Sequence, residues 1–425
     1  MGHHPWRDAK VVPIPKPHKA DYRIGKSYRP ISLLECCGKL LEKIVAKRIL
    51  LDANRFHLLP SGQFGSQDFH SVVDAAMCLT HSIQSCVKTG HVGALVLFDI
   101  QRFFDNLHVD RLVHLFSSLG FDTQLCEWVR SFLTDRRVTL TINGEESPAL
   151  LLSHGTPQGS PLSPILSAIY LTPLLRLAES WKFHGLTTYV DDGSIFATGP
   201  THKIATDRAA SALRSVTEWL SRNGLGIDMD KTEYISFQPP RALPRYIGEQ
   251  ISSLTLSLPG GRVLSVRQAN SVRYLGIFLQ HNLKWDIHTT TMAARGRSAI
   301  RSLHLLGNSI RGLDFHNWRK VYHAIILPVL TFGSPIWSGN IKKSTLRHLQ
   351  VAQNDAIRRM GGLFRTTPTE AAHHILAIPP IKFTLEKYRL AYQLRLTRLP
   401  PSSKVRLITS SDQTAYHHPA YTPPP

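Results

Sequence analysis

Three aspartates in this chain have the residue type and the spacing that could hold divalent metal ions. Asp99 ends an apolar run, and Asp191 and Asp192 stand side by side just before a glycine. A carboxylate at the edge of an apolar sheet is costly unless a cation or a metal pairs with it, and adjacent carboxylates repel each other. Taken alone, each aspartate is better explained as a cap or turn residue.

A loop rich in glycine and proline lies between these aspartates in the sequence. Residues 155–164 read G-T-P-Q-G-S-P-L-S-P. Glycines let a backbone approach a ligand closely, prolines hold a loop rigid, and Gln158 offers both a donor and an acceptor to a nucleotide or template base. A plain structural turn seldom needs so elaborate a run, so the loop is predicted to bind a ligand.

The elements that must position these residues mix helices and strands without a regular alternation, which predicts an α+β fold. A basic, proline-rich opening predicts an extended arm, and a turn is expected at Asp191-Asp192. Periodicity predicts strands at Val92–Ile100, Thr139–Asn143, within Thr187–Thr198, Tyr234–Phe237 and Arg273–Phe278. It predicts helices at Ser32–Leu51, Val72–Val87, Val109–Leu119, Leu162–Leu177 and Ile204–Arg222, and mostly helix from Thr290 onward.

Composition favours a polyanionic partner. The formal charge is +20 and the pI about 10, so nucleic acid is the first hypothesis, although charge alone does not exclude a generic basic protein or anionic lipid. Five cysteines without CxxC spacing predict neither a disulfide framework nor a zinc site. Without a signal-peptide core or a membrane-length apolar run, we expect a soluble intracellular protein of the nucleus or cytoplasm.

The motifs, taken in order, resemble those of reverse transcriptases. Motifs A, B and C of that family are similar to F-D-I-Q-R-F-F-D-N (98–106), the 155–164 loop and Y-V-D-D (189–192). Flanking segments resemble the non-LTR (LINE-type) retrotransposon branch: Y-R-P-I-S-L-L (28–34), L-E-K-I-V (41–45) and Y-L-G-I (274–277). A later segment, L-P-V-L-T-F-G-S-P-I-W (327–337), resembles fungal members, so the resemblance covers roughly residues 10–400.

The resemblance implies a right-hand polymerase fold. Fingers and palm would occupy residues 10–280, a helical thumb or connector 281–400, and a disordered tail 401–425. The implied activity is RNA-directed DNA synthesis on an RNA template and a DNA primer with dNTPs, away from membranes and with no indication of oligomeric state. Because neither an endonuclease nor an RNase H segment is recognisable, the chain is expected to be a fragment of a longer product.

The same resemblance assigns the metal ligands. Asp99, Asp191, Asp192 and the carbonyl of Ile100 would hold two Mg²⁺ ions, for which Mn²⁺ can substitute. Lys231 matches a lysine proposed to protonate pyrophosphate, and a solvated lysine is an equally good explanation.

Substrate contacts are implied as well. Arg29 would meet the triphosphate or the template, and Gln158, Gly159 and Tyr189 would line the substrate site. Phe104 matches an aromatic gate that excludes a 2′-hydroxyl, although without the motif it would be a core aromatic. That gate argues against a third function, RNA-directed RNA synthesis.

One segment departs from the family. Gln67 stands where an arginine usually meets the triphosphate, and Asp68 adds a negative charge. A catalytically impaired remnant that only binds nucleic acid is therefore the alternative hypothesis.

Overall fold

A computed structural model describes residues 5–17, 19–239, 253–257, 263–303, 313–400 and 403–411. The described strands are β1 (Asp8–Pro15), β2 (Tyr28–Leu33), β3 (Val92–Gln101), β4 (Arg136–Ile142), β5 (Glu145–Glu146), β6 (Leu150–Leu152), β7 (His184–Tyr189), β8 (Asp192–Gly199), β9 (Gly226–Ile227), β10 (Glu233–Phe237), β11 (Ser253–Ser257), β12 (Val263–Arg267), β13 (Ser271–Tyr274) and β14 (Ile277–Gln280). The described α-helices are α1 (Cys36–Arg55), α2 (Val72–Lys88), α3 (Val109–Ser118), α4 (Thr123–Leu133), α5 (Ser163–Tyr170), α6 (Thr172–Glu179), α7 (His202–Arg222), α8 (Asp286–Ser302), α9 (Phe315–Val321), α10 (Leu327–Leu330), α11 (Ser334–Trp337), α12 (Lys343–Met360), α13 (Thr369–Ile375), α14 (Ile381–Arg398) and α15 (Lys404–Ser411).

The chain divides into two compact units. The first combines Met1–Val72, Val92–Tyr234 and Pro244–Gln268, and the second combines Val73–His91, Ile235–Leu243 and Ala269–Pro425. The predicted boundaries at residues 280 and 400 describe functional domains and stay a prediction. The compact units differ from them, since α2 belongs with the C-terminal helices.

A central antiparallel sheet organises the first unit. Strand β8 lies between β7 and β3, and the short β9 continues from the other edge of β3. Strand β3 is buried from Val92 to Phe98, because helices including α3, α5 and α7 pack their apolar residues with it in one core. Asp99 is the first residue at which this burial is relieved, so the carboxylate stands at the end of an apolar strand, as predicted.

A second sheet in this unit contains the N-terminal arm. Strand β1 pairs antiparallel with β2 and parallel with β4. Prolines are tolerated here because the β4 pairing covers only Asp8–Val11, so Pro13 and Pro15 face β2 alone. The predicted extended arm is therefore confirmed as extended chain, but it is built into a sheet.

Two predicted elements need correction, and one helix was missed. The single helix predicted at Leu162–Leu177 is wrong: it breaks into α5 and α6 at Leu171, because Pro173 has no N–H to continue the helical ladder. The strand predicted at Arg273–Phe278 is a hairpin, β13–β14, whose turn residues Leu275 and Gly276 have positive φ. Helix α4 was not predicted.

The second unit is mostly helical, as predicted. Helices α2 and α14 are joined by the fully buried Asp74, which accepts hydrogen bonds from the Tyr392 hydroxyl at 2.6 Å and from both Arg395 terminal nitrogens at 2.8 Å. The predicted disordered tail is wrong where it begins, since Lys404–Ser411 is helical. Residues 412–425 lie outside the described part of the chain.

Candidate active site

The two adjacent aspartates lie at the tip of the β7–β8 hairpin. Tyr189 pairs with Asp192, so the two-residue turn is Val190-Asp191 and not the predicted Asp191-Asp192. Val190 has a φ of 61°, which costs a β-branched residue roughly 1–3 kcal/mol. Strain of that kind persists only where the surroundings impose it, and here it directs Asp191 away from the strand.

The register brings the three aspartates to one edge of the sheet. Asp99 lies opposite Asp192 across β3 and β8, and opposite residues of an antiparallel pair share a face. The amide of Ile100 donates to the carbonyl of Asp191 at 3.0 Å, which places the Ile100 backbone beside the turn. Asp192 is exposed, whereas Asp99 and Asp191 are partly buried.

The charges of Asp99 and Asp191 interact. Burial raises the pKa of the Asp191 carboxyl, and the negative charge of Asp99 raises it further, while Lys231 and Arg29 act in the opposite direction. Burial and a like charge both disfavour the ionised form. Two carboxylates that repel each other in this way offer oxygen ligands to a hard divalent cation.

Lys231 lies directly on this acidic group. Its ammonium donates a hydrogen bond to the Asp99 carboxylate and lies 3.4 Å from Asp228. Burial alone would lower the pKa of Lys231, but the hydrogen bond and the charges of Asp99 and Asp228 raise it above its ordinary value. Lys231 is therefore a cation held at the carboxylates. Asp228, which also donates its amide to the Asp99 carbonyl at 2.8 Å, was not predicted.

Further cations lie near the carboxylates. Burial lowers the pKa of Lys16, and the positive charges of Lys231, Lys19 and Arg29 lower it further. Lys16 is fixed by donating to the Lys26 carbonyl at 2.9 Å, and Arg29 is exposed on β2. The arm therefore brings the positive charge of Arg29 close enough to affect Asp191, and that of Lys16 close to Lys231. The contact of Arg29 with a triphosphate or template stays a prediction.

The glycine-rich loop packs on the turn that follows Asp99. Thr156 donates its amide to the Phe104 carbonyl at 2.6 Å, and Gly155 donates to the Leu107 carbonyl at 2.8 Å. Gly155 has a φ of 83°, and a Cβ there would lie 2.6 Å from the Asp105 carbonyl oxygen. Only glycine fits such a contact, so motifs A and B are locked together through backbone.

Gln158 and Gly159 are attached to the arm and to the same turn. The Gln158 side chain donates to Asp105 at 3.0 Å, and its carbonyl accepts from the Ser32 amide at 2.7 Å. Gly159 has a φ of 129°, and a Cβ there would lie 2.6 Å from the Ser32 carbonyl oxygen. The structure thus places both predicted residues at the junction of β2 and the loop.

The aromatic candidates differ from core residues. Phe103 is the buried aromatic of its turn, at 2% exposure, and Phe104 beside it is only half-buried. Tyr189, the last residue of β7, is half-buried as well. Phe104 is therefore more accessible than Phe103, and its role as a gate for the sugar stays a prediction.

A segment that sequence reasoning did not assign to the site supports the hairpin. Gln63 pairs with Thr188 in a parallel bridge and accepts from its hydroxyl at 2.5 Å. Gly65 lies against the turn, where a Cβ would be 2.7 Å from the Val190 nitrogen. The buried polar Gln63 between glycines was the available signal. In the same segment, two residues after Gly65, the Gln67 side-chain nitrogen is buried without a hydrogen-bond partner in the described residues.

The carboxylates of this site are candidate ligands for a divalent cation. Within the described ranges, no group of three His, Cys, Asp or Glu side chains lies close enough to hold a metal. The interacting pair Asp99 and Asp191, with a lysine ammonium on Asp99, nevertheless fits such an ion, because these are oxygen donors whose mutual repulsion a cation relieves.

A known protein family matches the part of the chain that contains this site. The profile of the reverse transcriptase (RNA-dependent DNA polymerase) family matches residues 14–279, more than half of the chain. The chain belongs to the reverse transcriptase family. That membership confirms the predicted right-hand polymerase fold, and the mixed helices and strands confirm the α+β class. Reverse transcriptases in general use divalent metal ions.

Relatives of this reverse transcriptase come from mobile elements. It is 27% identical over 398 residues to the "Probable RNA-directed DNA polymerase from transposon BS" of Drosophila melanogaster, covering 92% of this chain and 42% of the relative. It is 26% identical over 414 residues to the "RNA-directed DNA polymerase from mobile element jockey" of Drosophila funebris, covering 96% and 43%. The chain thus spans less than half the length of these relatives. The predicted non-LTR resemblance is confirmed, and the likeness to fungal members stays a prediction.

Solved structures give a weaker similarity. Telomerase from Candida tropicalis, in complex with a fragment of telomeric RNA, has a TM-score of 0.45 and 12% identity, covering 89% of this chain and 65% of that chain. Among the described helices, none is both long and apolar enough to cross a membrane.

Proposed function

We propose that this chain is the polymerase part of a retrotransposon enzyme that copies RNA into DNA. The observation that carries the proposal is the position of Asp99 and Asp191 at one end of the β3 and β7–β8 strands, close enough for their charges to interact, in a chain of this family. The substrates would be an RNA template, a DNA primer and dNTPs. The names of the relatives, RNA-directed DNA polymerases of mobile elements, support the choice of reaction.

Asp99 and Asp191 would hold two Mg²⁺ ions, with Asp192 and the Ile100 carbonyl beside them. Such ions lower the pKa of a primer 3′-hydroxyl and stabilise a pyrophosphate leaving group. The protein supplies position and charge, so neither aspartate needs to act as a general base. Removing the charge of Asp191 is expected to abolish extension without destabilising the fold, because burial and Asp99 already disfavour that charge.

Cations of the arm would bind the triphosphate. Arg29, Lys16 and Lys231 lie close enough for their charges to interact, an arrangement that costs free energy unless an anion neutralises it. A triphosphate suits that position, since Arg and Lys are the usual partners of phosphate oxygens. Lys231, held charged by Asp99 and Asp228, is a candidate donor of a proton to the departing pyrophosphate.

Gln158, Gly159, Phe104 and Tyr189 would surround the incoming nucleotide. Gly159 packs its backbone against the Ser32 carbonyl, so the loop is held close to β2 in the position from which it would contact a base pair. The half-buried Phe104 ring is available to a sugar because Phe103 fills the core. Replacing dNTPs with rNTPs should therefore reduce extension, and equal use of both would favour RNA synthesis instead.

Primer extension on an RNA template tests the proposal. The wild-type chain should incorporate dNTPs in Mg²⁺ or Mn²⁺, and Asp191→Asn should lower the rate by at least about 100-fold. Asp207→Asn is the matched control, since Asp207 is exposed on α7, and should extend normally. No incorporation by a well-folded wild type would exclude the polymerase function.

The second candidate function is a nucleic-acid-binding remnant. The Gln67 side-chain nitrogen, which has no hydrogen-bond partner among the described residues, favours it, because an arginine that would meet the triphosphate is replaced there. The Asp68 carboxylate beside it accepts a hydrogen bond from Asn54 at 3.4 Å. A remnant would bind template–primer with a steep salt dependence and extend nothing. Extension gained by Gln67→Arg would locate the defect.

A further inference from the structure

Helix α1 carries a buried acid where an apolar residue is expected. Its buried stripe consists of Gly38, Glu42, Ala46, Ile49 and Ala53, at helical spacing. Glu42 is 2% exposed, and burial raises the pKa of its carboxyl. A buried charge is costly unless it is paired and hydrogen-bonded, so its partners should indicate why it is retained.

Those partners lead to the glycine-rich loop. The Ser160 hydroxyl donates to the Glu42 carboxylate and accepts from the Leu162 amide at 3.0 Å. This fixes the end of the loop at the point where α5 begins. The other carboxylate oxygen, Oε1 of Glu42, is buried and has no hydrogen-bond partner among the described residues, so hydrogen bonding alone does not satisfy the acid.

An opposite buried charge fixes the start of the same loop. Arg136, the first residue of β4, is 5% exposed and donates to the Gly155 carbonyl at 2.8 Å. Burial lowers the pKa of its guanidinium to about 10, while the charges of Glu42 and Asp105 act to raise it. Asp105 in turn accepts from the Gln158 side chain at 3.0 Å. Arg136, the partly buried Asp105 and Glu42 therefore contact the start, the middle and the end of the loop, respectively.

Stability alone does not explain why two charged side chains, Glu42 and Arg136, are buried here. A buried ion pair is frequently no more stabilising than apolar residues of similar size, because desolvation offsets the attraction. Two methionines are of similar size to Glu42 and Arg136 and could fill the space between α1, β4 and the loop without a buried charge. What an apolar pair could not do is hold the Ser160 hydroxyl and the Gly155 carbonyl in fixed directions.

We propose that Glu42 and Arg136 are positioning residues, two buried charged side chains that hold the end and the start of the 155–160 loop in the conformation that receives the nucleotide and template. The effect of these residues on catalysis rests on the proposed function, whereas their effect on the conformation of the loop does not. The pair touches neither the predicted metal ligands nor the predicted substrate contacts directly. It acts on Gln158 and Gly159 through the two ends of their loop.

Hydrogen exchange of the loop amides tests the pair without requiring activity. In Glu42→Met/Arg136→Met we expect exchange at Gly155, Thr156 and Leu162 to accelerate at least about tenfold, with unchanged exchange in β3 and β8. The control is Asp110→Met/Arg130→Met, which removes an exposed ion pair of the same unit and should leave the loop unchanged. Acceleration throughout the unit would mean a general structural role and would overturn the proposal.

Glu42→Gln is the second variant, for use if the double variant does not fold. It keeps the size and an acceptor for Ser160 but removes the negative charge that attracts Arg136 and strengthens the hydrogen bond from Ser160, so loop exchange should still accelerate. Wild-type exchange in either folded variant overturns the proposal.

Kinetics then connect the pair to the reaction. If the wild type extends primers, kcat/KM for dNTP in the double variant should fall about 10- to 100-fold, the effect of a small displacement of a substrate contact. Normal kcat/KM alongside a loosened loop would refute the positioning role. A wild type that extends nothing would count against the proposed function alone, since the exchange result decides the structural content of the pair.

Discussion

Replacing Gly65 by alanine should displace the Val190-Asp191 turn, which carries a proposed metal ligand. Gly65 is buried against the β7–β8 hairpin, and a Cβ built on it lies 2.7 Å from the Val190 nitrogen and 3.0 Å from Val190 Cγ2. An ordinary contact begins near 3.4 Å, so the nearest atom must move by about 0.7 Å. That atom is backbone, which gives way less easily than the end of a flexible side chain.

The displacement cannot be absorbed locally. Val190 already has a strained φ of 61°, and Asp191 beside it is held by the Ile100 amide at 3.0 Å. A shift of this size at a reacting centre costs about 10- to 100-fold in rate. Overpacking of a tight contact costs about 1–3 kcal/mol of unfolding free energy. We therefore expect Gly65→Ala to lower kcat/KM for primer extension 10- to 100-fold while the protein still folds.

Gly185→Ala is the matched control. Gly185 lies in β7 of the same hairpin, and nothing lies within 4 Å of a Cβ built there. It should be neutral or slightly stabilising, because alanine reduces the entropy of the unfolded chain. Single-nucleotide extension and urea unfolding of both variants supply the two numbers. Wild-type kcat/KM in Gly65→Ala, or an equal loss in Gly185→Ala, would refute the reasoning.

Two further predictions concern the second unit. Burial lowers the pKa of His288 to about 4, so its neutral form is favoured on folding; this stability is present above about pH 6.5 and lost as the pH falls towards 4. Urea unfolding at pH 7 and pH 5 should show wild type losing about 2 kcal/mol more than His288→Gln, and equal losses would contradict the assignment. Arg395→Met should cost about 3 kcal/mol, because Asp74 is left buried with the Tyr392 hydroxyl alone among these partners. Arg398→Met, on the exposed side of α14, should change the urea midpoint little, and a midpoint shift as large as that of Arg395→Met would contradict the role of Asp74.

Local pattern was sufficient to predict the centre of the first unit. The run Val92–Phe98 is continuously apolar, which indicates a strand buried on both faces. The apolar stripe of α7 likewise predicted that helix, and the glycine after it predicted where the helix ends. These elements place Asp99 at the end of one strand and the Asp191-Asp192 pair at a turn. The edge of the sheet that carries the three aspartates was therefore predictable.

Long-range pairings were not predictable from local pattern. The parallel pairing of β1 with β4 joins residues more than 120 positions apart, and the proline-rich sequence of β1 reads as a free arm. The turn was predicted one residue too late because a valine in the left-handed region is disfavoured by its own backbone preference. Contacts with Gly65 and Gln63, which are distant in sequence, impose that conformation on Val190. Helix α4 could have been found from Asp122, whose side chain caps it by accepting from the Gln124 amide at 2.7 Å.

The charge distribution at the hairpin is itself an argument for function. Asp191 is partly buried near the like charge of Asp99, and Lys16 is partly buried near the like charges of Lys231 and Arg29. Each arrangement disfavours the ionised form, so neither is selected for stability. A divalent cation at the carboxylates and a triphosphate at the cations would relieve both together, because each ligand carries the charge that its side of the site lacks. Under the proposed function, a metal–nucleotide complex would complete the site, and a substitution that removes the charge of Asp191 or of Lys16 should stabilise the free protein while it weakens substrate binding.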